Sequence, residues 1–405
     1  MRNVIGVAAE YNPFHEGHLR HLERTREALG GGAAVCVLSG SFVQRGEPAL
    51  FGKHARAEAA VRCGADLVLE LPLAWSLSSA EGYARGCVGV LAGLGVVTHM
   101  SFGSECGEIA PLDAVAAALL DRELDAAIRT ELDSGVAYPV ARQRVLERSL
   151  GRELASLVES PNNILAIEYL KALYRQGAGI TPVTVKRIGA GHDEAARAGE
   201  LPSASELRTR VIAGENVFSL LPEGAAEVFS REKEQGRGPV TLRELETALL
   251  SRLRCCPEEI FGELPDATEG LGQRLYRAAH TEPTIEAVYA AAATKRYPMA
   301  RLRRMTMAAA LGLRAGMADG TPPYARVLAF NETGRELLHR IGESDHIPVL
   351  TRPVSIREQD DAAQKVFALG AAAEDLYALG YRAREERTGG ADWRQSPVFV
   401  RKEVL

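Results

Sequence analysis

The sequence predicts an α/β fold: a Rossmann-like, doubly wound parallel sheet in the first half, followed by a mainly α-helical second half. Three observations carry this. Short apolar runs alternate with helical stretches at the spacing of β–α–β units. Each run ends in a polar or glycine-containing loop, as at the carboxyl edge of a parallel sheet. From about Leu242 onward, Leu, Ala and Arg recur at amphipathic helical spacing. The chain has 405 residues, 46% of them hydrophobic, enough to bury more than one core. The expected division is 1–215 and 216–405.

The first element is an almost continuous apolar run, Val4, Ile5, Val7, Ala8 and Ala9, suited to a strand buried on both faces. Asn12-Pro13 ends it, because proline fixes φ and lacks an N–H. From His18 the period becomes helical, with Leu19, Leu22 and Leu29 on one face and Arg20, Glu23 and Arg24 on another. His15-Glu16-Gly17-His18 thus occupies a loop and first helical turn, where free N–H groups and the helix dipole favour anions. Gly17 lets a ligand approach the backbone. Two imidazoles three residues apart can donate hydrogen bonds to a triphosphate and to charge developing at an α-phosphorus. The competing reading is a pair of surface histidines or a stray metal site.

Further strands are expected at Ala34–Leu38, Asp66–Leu71, Val96–Phe102 and Val183–Ile188, with helices at His54–Cys63 and Ser79–Leu94 between them. A mostly helical insertion lies near 113–173. The loop Gly40–Pro48 and the adjacent Lys53 and Arg56 are cationic; Gln44, Arg45 and Lys53 are candidates for the acceptor side of the site, against the default of solvated side chains. Pro161-Asn162-Asn163 opens a helix, where the Asn pair could cap it or touch a ribose or base. Ser203, Ser205 and Arg208 fall across another helix start. Ser203 and Glu206 also have the spacing of a capping box, which is purely structural. The catalytic candidates are His15, His18, Ser205 and Arg208, with Arg208 toward a leaving pyrophosphate.

Composition narrows the setting. Charged residues make up 25%, and no apolar run is long enough to span a bilayer. The N-terminus lacks signal-peptide architecture. Six cysteines show no Cys-x-x-Cys spacing, which predicts a reducing cytoplasm and no structural zinc. A net charge of −5 argues against indiscriminate nucleic-acid binding but permits a local basic surface. The run 295–304 provides one: Lys295, Arg296, Arg301, Arg303 and Arg304 beside Tyr297, without an acid. Such a patch suits RNA phosphates, while a solvated face or internal ion pairs is the plainer reading. Tyr324–Phe330 and Ile347–Leu350 are expected strands, so the second half is not wholly helical.

Taken in order, Asn12-Pro13-Phe14-His15-Glu16-Gly17-His18, Ser41–Pro48, Arg56-Ala57-Glu58, Gly64–Pro72, Phe102-Gly103-Ser104-Glu105, Pro161–Leu165 and Ser203-Ala204-Ser205 resemble the bacterial tRNA(Met) cytidine acetate ligase family, within the nucleotidyltransferases that carry His-x-Gly-His. The resemblance covers about the first half strongly and continues more weakly beyond. It implies ATP-dependent formation of acetyl-adenylate and acetyl transfer to N4 of the wobble cytidine of elongator tRNA(Met), with Mg2+ accompanying ATP. By motif it implies ATP contacts at Val7, Ala8, Ala9, Glu10, Tyr11, Asn12, Pro13, Phe14, His15, Glu16, Gly17, His18, Leu19 and Arg20, then Gly103, Asn162 and Arg187. It implies tRNA on the basic helical half, no membrane and no obligate protein partner. One departure stands out: the family's aromatic residue before His192-Asp193 is missing after Gly189-Ala190-Gly191. Two other classes fit parts of the sequence, a small-metabolite adenylyltransferase and a non-catalytic RNA- or nucleotide-binding protein.

Overall fold

The structure, a computed structural model, describes residues 3–187, 201–268, 270–294, 297–342 and 347–401. Ten strands are present among them: β1 Val4–Ala9, β2 Ala33–Ser39, β3 Phe42–Val43, β4 Glu47–Pro48, β5 Leu67–Leu71, β6 His99–Ser104, β7 Thr181–Lys186, β8 Ala325–Phe330, β9 Val349–Leu350 and β10 Val398–Phe399. Eight of them form one sheet in the order β10-β8-β5-β2-β1-β6-β7, with β9 also on β8. β3 and β4 form a separate small hairpin.

The continuous apolar runs become the central strands. β2 is buried at all seven positions, as a strand covered on both faces must be. β1 pairs in parallel with β2 on one side and β6 on the other. The chain therefore builds outward from β1 in one direction, then returns to its other side. That reversal is a topological switch point, and it opens a crevice at the carboxyl ends of β1 and β6. The helices Lys53–Arg62 and Ala80–Gly93 fall where the sequence places them. The expected insertion is a run of helices from Ile109–Leu120 to Pro161–Arg175.

Residue 215 does not divide the molecule into two independent cores. β8 returns from the second half and adds to β5, antiparallel, and β10 adds to β8. One hydrophobic cluster joins Val35 and Leu69 of the sheet to Leu245, Met305 and Tyr377 of the later helices. The reason is chemical as well as geometric. β5 carries Glu70, which is buried and needs cations; Arg326 on β8 supplies one.

Candidate active site

The switch-point crevice is a cleft of about 390 Å3. It is walled by the end of β1 and the residues that follow (Val7, Ala8, Ala9, Glu10, Tyr11, Asn12), by His15 and His18, by Gly103 near the end of β6, by Arg187 after β7, and by the hairpin tip Gln44 and Arg45. Three helix N-termini converge on it: Glu16–Leu29, Pro161–Arg175 and Ala204–Ile212. Their dipoles point positive ends at the cleft, which favours anions there.

The two histidines are held by main chain. His15 caps the helix Glu16–Leu29, its Nδ1 accepting the Gly17 N–H at 3.0 Å. His18 reaches back, its Nδ1 accepting the His15 N–H at 3.3 Å. Because both Nδ1 atoms accept, each neutral ring carries its proton on Nε2, the donor left for a ligand. The rings lie 3.9 Å apart. His15 Nε2 is buried and has no protein partner, which is what a donor reserved for a bound group looks like. Gly17 is required by the same geometry: a Cβ there would sit 2.7 Å from His15 Cε1.

Burial, then the guanidinium groups of Arg187 and Arg208, push the His15 pKa down to about 3. Burial, then the neighbouring His15 and Arg187, hold His18 well below its ordinary value. The site thus keeps both imidazoles neutral at neutral pH and leaves net positive charge to the arginines. Tyr11 and Phe14 pack on His18 with ring centroids 4.8 and 5.5 Å away.

Two motifs explain each other. Glu105, after β6, accepts the main-chain N–H groups of Asn162 (3.2 Å) and Asn163 (2.8 Å) and the Asn162 side-chain amide (2.6 Å). The carboxylate, not the Asn pair, therefore caps the helix Pro161–Arg175, and Asn162 is fixed at the cleft wall. Gly103 allows the Arg187 side chain to cross it; a Cβ would come within 3.2 Å of Arg187 Cγ. Ser203 is the N-cap of Ala204–Ile212, accepting from Glu206 N at 3.1 Å, and Ser205 lies inside the first turn at the cleft. Arg208 donates to the Asn12 carbonyl at 3.0 Å and also lines the cleft.

Arg56 sets the floor. It is fully buried and donates to the carbonyls of Phe51 (2.9 Å), Glu10 (2.5 Å), Ser39 (3.0 Å) and Gly40. One guanidinium so ties the carboxyl ends of β1 and β2 together. Beside it, Tyr11 adopts φ 45°, uncommon for a non-glycine residue and concentrated at functional turns.

Several expected site residues lie elsewhere. Pro13, Phe14, Glu16 and Leu19 do not line the cleft; Phe14 and Leu19 pack in the hydrophobic layer behind it. Gly17 and Arg20 border a smaller opening on the far side of the histidines, with Arg24, Lys186 and Arg187. Lys53 is not on the acceptor side. It is 1% exposed and its Nζ meets Glu70 at 2.7 Å, Asp392 at 2.6 Å and Glu374 at 3.8 Å. Arg326 completes this cluster at 2.9 Å from Asp392.

The basic run is also partly spoken for. Arg301 binds the Asp266 carbonyl and stacks over Tyr297, Arg303 pairs with Glu47, and Arg304 pairs with Asp266 at 3.2 Å. Lys295 and Arg296 lie outside the described residues, as does the 189–193 segment. Conversely, the cleft gains His21, Tyr83, Phe102, Leu165 and Tyr169. His21 contacts Ser101 Oγ at 2.9 Å, and burial, then Arg187, lowers its pKa to about 4. Its spacing, three residues past His18, was the available signal. The aromatic and aliphatic wall had none.

The HIGH Nucleotidyl Transferase family model matches residues 2–392. A protein of Acetivibrio thermocellus named tRNA(Met) cytidine acetate ligase is 35% identical over 98% of this chain and 100% of its own length. The protein of that name from Thermosipho africanus is 33% identical over 98% and 99%. The crystal structure of Thermotoga maritima TmcAL superposes with TM-score 0.94 at 33% identity, covering 99% of this chain and 100% of that one. A second crystal form, bound with alpha-thio ATP, gives 0.91. With its cleft at the switch point and its histidine pair at the mouth of the first helix, this chain belongs to the HIGH nucleotidyl transferases and, among them, to the tRNA(Met) cytidine acetate ligase family, a family of ATP-dependent ligases.

Proposed function

We propose that the cleft binds ATP, adenylates acetate, and passes the acetyl group to N4 of the wobble cytidine of elongator tRNA(Met), in the cytoplasm. The observation that supports this most is the neutral histidine pair: both Nδ1 atoms are occupied by main chain, which leaves the Nε2–H groups as donors, and both residues line a cleft bordered by Arg187 and Arg208. An acetate oxygen attacks the α-phosphorus, the bond to the β-phosphate bridge breaks, and pyrophosphate leaves with that electron pair. His15 and His18 donate to the phosphate oxygens where charge builds, and Arg208, anchored on Asn12, faces the leaving group. The cytidine amine then attacks the acetyl carbonyl, AMP departs, and the amine proton is released. Positioning and electrostatics suffice for both steps. Mg2+ enters as the counterion of ATP. Among the described residues no group of three or more His, Cys, Asp or Glu is arranged to hold a metal by itself.

The test is acetate-dependent ATP–pyrophosphate exchange without tRNA. His18→Ala is expected to lower it by roughly 10²–10³, the usual size for losing one preorganised donor. Near-normal exchange in that variant would overturn the mechanism. Exchange driven by mononucleotides instead of acetate would favour a small-metabolite adenylyltransferase.

A further inference from the structure

The loop that carries Gln44 and Arg45 has an unusual support. Val43, Gln44, Arg45 and Gly46 form a tight turn between β3 and β4, closed by Gly46 N donating to Val43 O at 2.9 Å. Gln44 and Arg45 are its two central residues, and both line the cleft. On its inner side the turn is fastened to β1: the Gln44 N–H donates to Glu10 Oε1 at 2.8 Å. On its outer side it is fastened to the second half of the chain. A Cβ on Gly46 would lie 2.4 Å from Arg304 N and 2.5 Å from Arg303 C, so the helix Met299–Leu311 is seated backbone-to-backbone on the turn. Gly46 also has φ +76°, which reserves the position for glycine twice over. Next to it Glu47 pairs with Arg303, whose guanidinium also lies over the Tyr289 ring at 6.0 Å.

We propose that Arg303 is a positioning residue: through Glu47 it fixes the Gln44–Arg45 turn over the cleft, so the helical second half acts on adenylate formation itself and not only on RNA. The inference rests on the reading above that this side of the cleft receives the acceptor acid. Three features support a coupling over a passive surface contact. The pair joins residues 256 apart in sequence. The turn has main-chain or ionic attachments on both sides, and its tip residues are the ones that reach the cleft. And Arg303 already has its partners inside the chain: Nη1 pairs with Glu47, the guanidinium lies over Tyr289, and Nε is buried.

The experiment compares wild type, Arg303→Ala, Glu47→Ala, and the charge exchange Glu47→Arg with Arg303→Glu. Two measurements are made without RNA: acetate-dependent exchange, and hydrogen exchange of the amides in 42–47. Arg303→Ala and Glu47→Ala should each lower kcat/KM for acetate by about 10- to 100-fold, the scale for displaced positioning groups, with the KM for ATP little changed. Amide exchange in the turn should rise in both, and the charge exchange should restore most of both signals. Unchanged pyrophosphate and amide exchange in Arg303→Ala would overturn the proposal; a loss of tRNA affinity in that variant, read separately by filter binding, would then make Arg303 an RNA contact. Failure of the charge exchange to restore either signal would also overturn it. Should wild type show no acetate-dependent exchange, the functional reading fails separately, and the amide measurement still decides whether Arg303 holds the turn.

Discussion

Replacing Arg56 by methionine tests how the cleft floor is held. The guanidinium is 0% exposed and has four carbonyl acceptors, on Phe51, Glu10, Ser39 and Gly40. Methionine fills much of the volume but leaves those carbonyls without a donor, and each buried unsatisfied group costs about 1–3 kcal/mol. Two effects reduce the sum. Glu10 O borders the cleft and can be reached by water, and removing a buried cation that no carboxylate contacts directly among the described residues, Glu10 and Glu374 acting on it from a distance, returns part of its desolvation cost. The net loss should be about 3–5 kcal/mol, near the value for breaking a buried ionic contact. Lysine should recover less than half, because one ammonium cannot span a planar fork of acceptors. Urea unfolding followed by circular dichroism reads the change directly. A loss below about 1 kcal/mol for methionine, or full recovery by lysine, would refute the reasoning.

Gly17→Ala should leave stability unchanged or lower it by about 1 kcal/mol, because alanine's gain in a helix of up to about 1 kcal/mol is offset by loss of the His15 cap, about 0.5–2 kcal/mol. Exchange activity should nevertheless fall at least about 10²-fold, because the new Cβ displaces the His15 ring; preserved activity would contradict the assigned capping role. Lys53→Met should destabilise by about 3–5 kcal/mol, since it strands buried carboxylates, while the KM for acetate of the folded fraction stays within about twofold; a large rise in KM would return Lys53 to the site. Acid should weaken the fold. His15, His18, His21 and His54 all have lowered pKa values, so the unfolded chain binds more protons below pH 6.5, and stability falls as pH drops through that window. Glu374, raised to about 7 chiefly by burial, opposes with one proton. The net of about three protons allows a slope up to about 4 kcal/mol per pH unit. Denaturation midpoints at pH 7, 6 and 5 measure it, and saturating ATP should flatten it by favouring the charged histidines.

Much of the first half was legible because its signals are local. Continuous apolar runs mark two-sided burial, and Gly17 and Gly103 sit where a side chain would strike a site residue. The histidine pair was visible for the same reason: capping geometry acts within three residues. Lys53 was misplaced because nothing in its neighbourhood reports Asp392, 339 positions away. Arg303 and Arg304 read as a basic surface because their partners Glu47 and Asp266 lie 256 and 38 positions away, outside the 295–304 window. The aromatic wall of Tyr83, Phe102 and Tyr169 has no signature beyond ordinary core periodicity. Long-range pairing is what a single sequence conceals.

The return of β8 to β5 has a consequence for synthesis. When residues 1–215 have left the ribosome, β5 is an uncovered strand edge with a buried-type glutamate and no cation from Arg326. Such an edge invites pairing with other chains. Strand pairs that join residues hundreds of positions apart, as β8 does to β5, also form slowly. The nascent nucleotide-binding half must therefore wait, shielded, until Arg326 and then Asp392 emerge to close the edge and the ionic cluster. Production of the first half alone should yield aggregates, and the short helical turn Ala391–Trp393 that carries Asp392 functions as much as a fastening for the chain's beginning as an element of its own region.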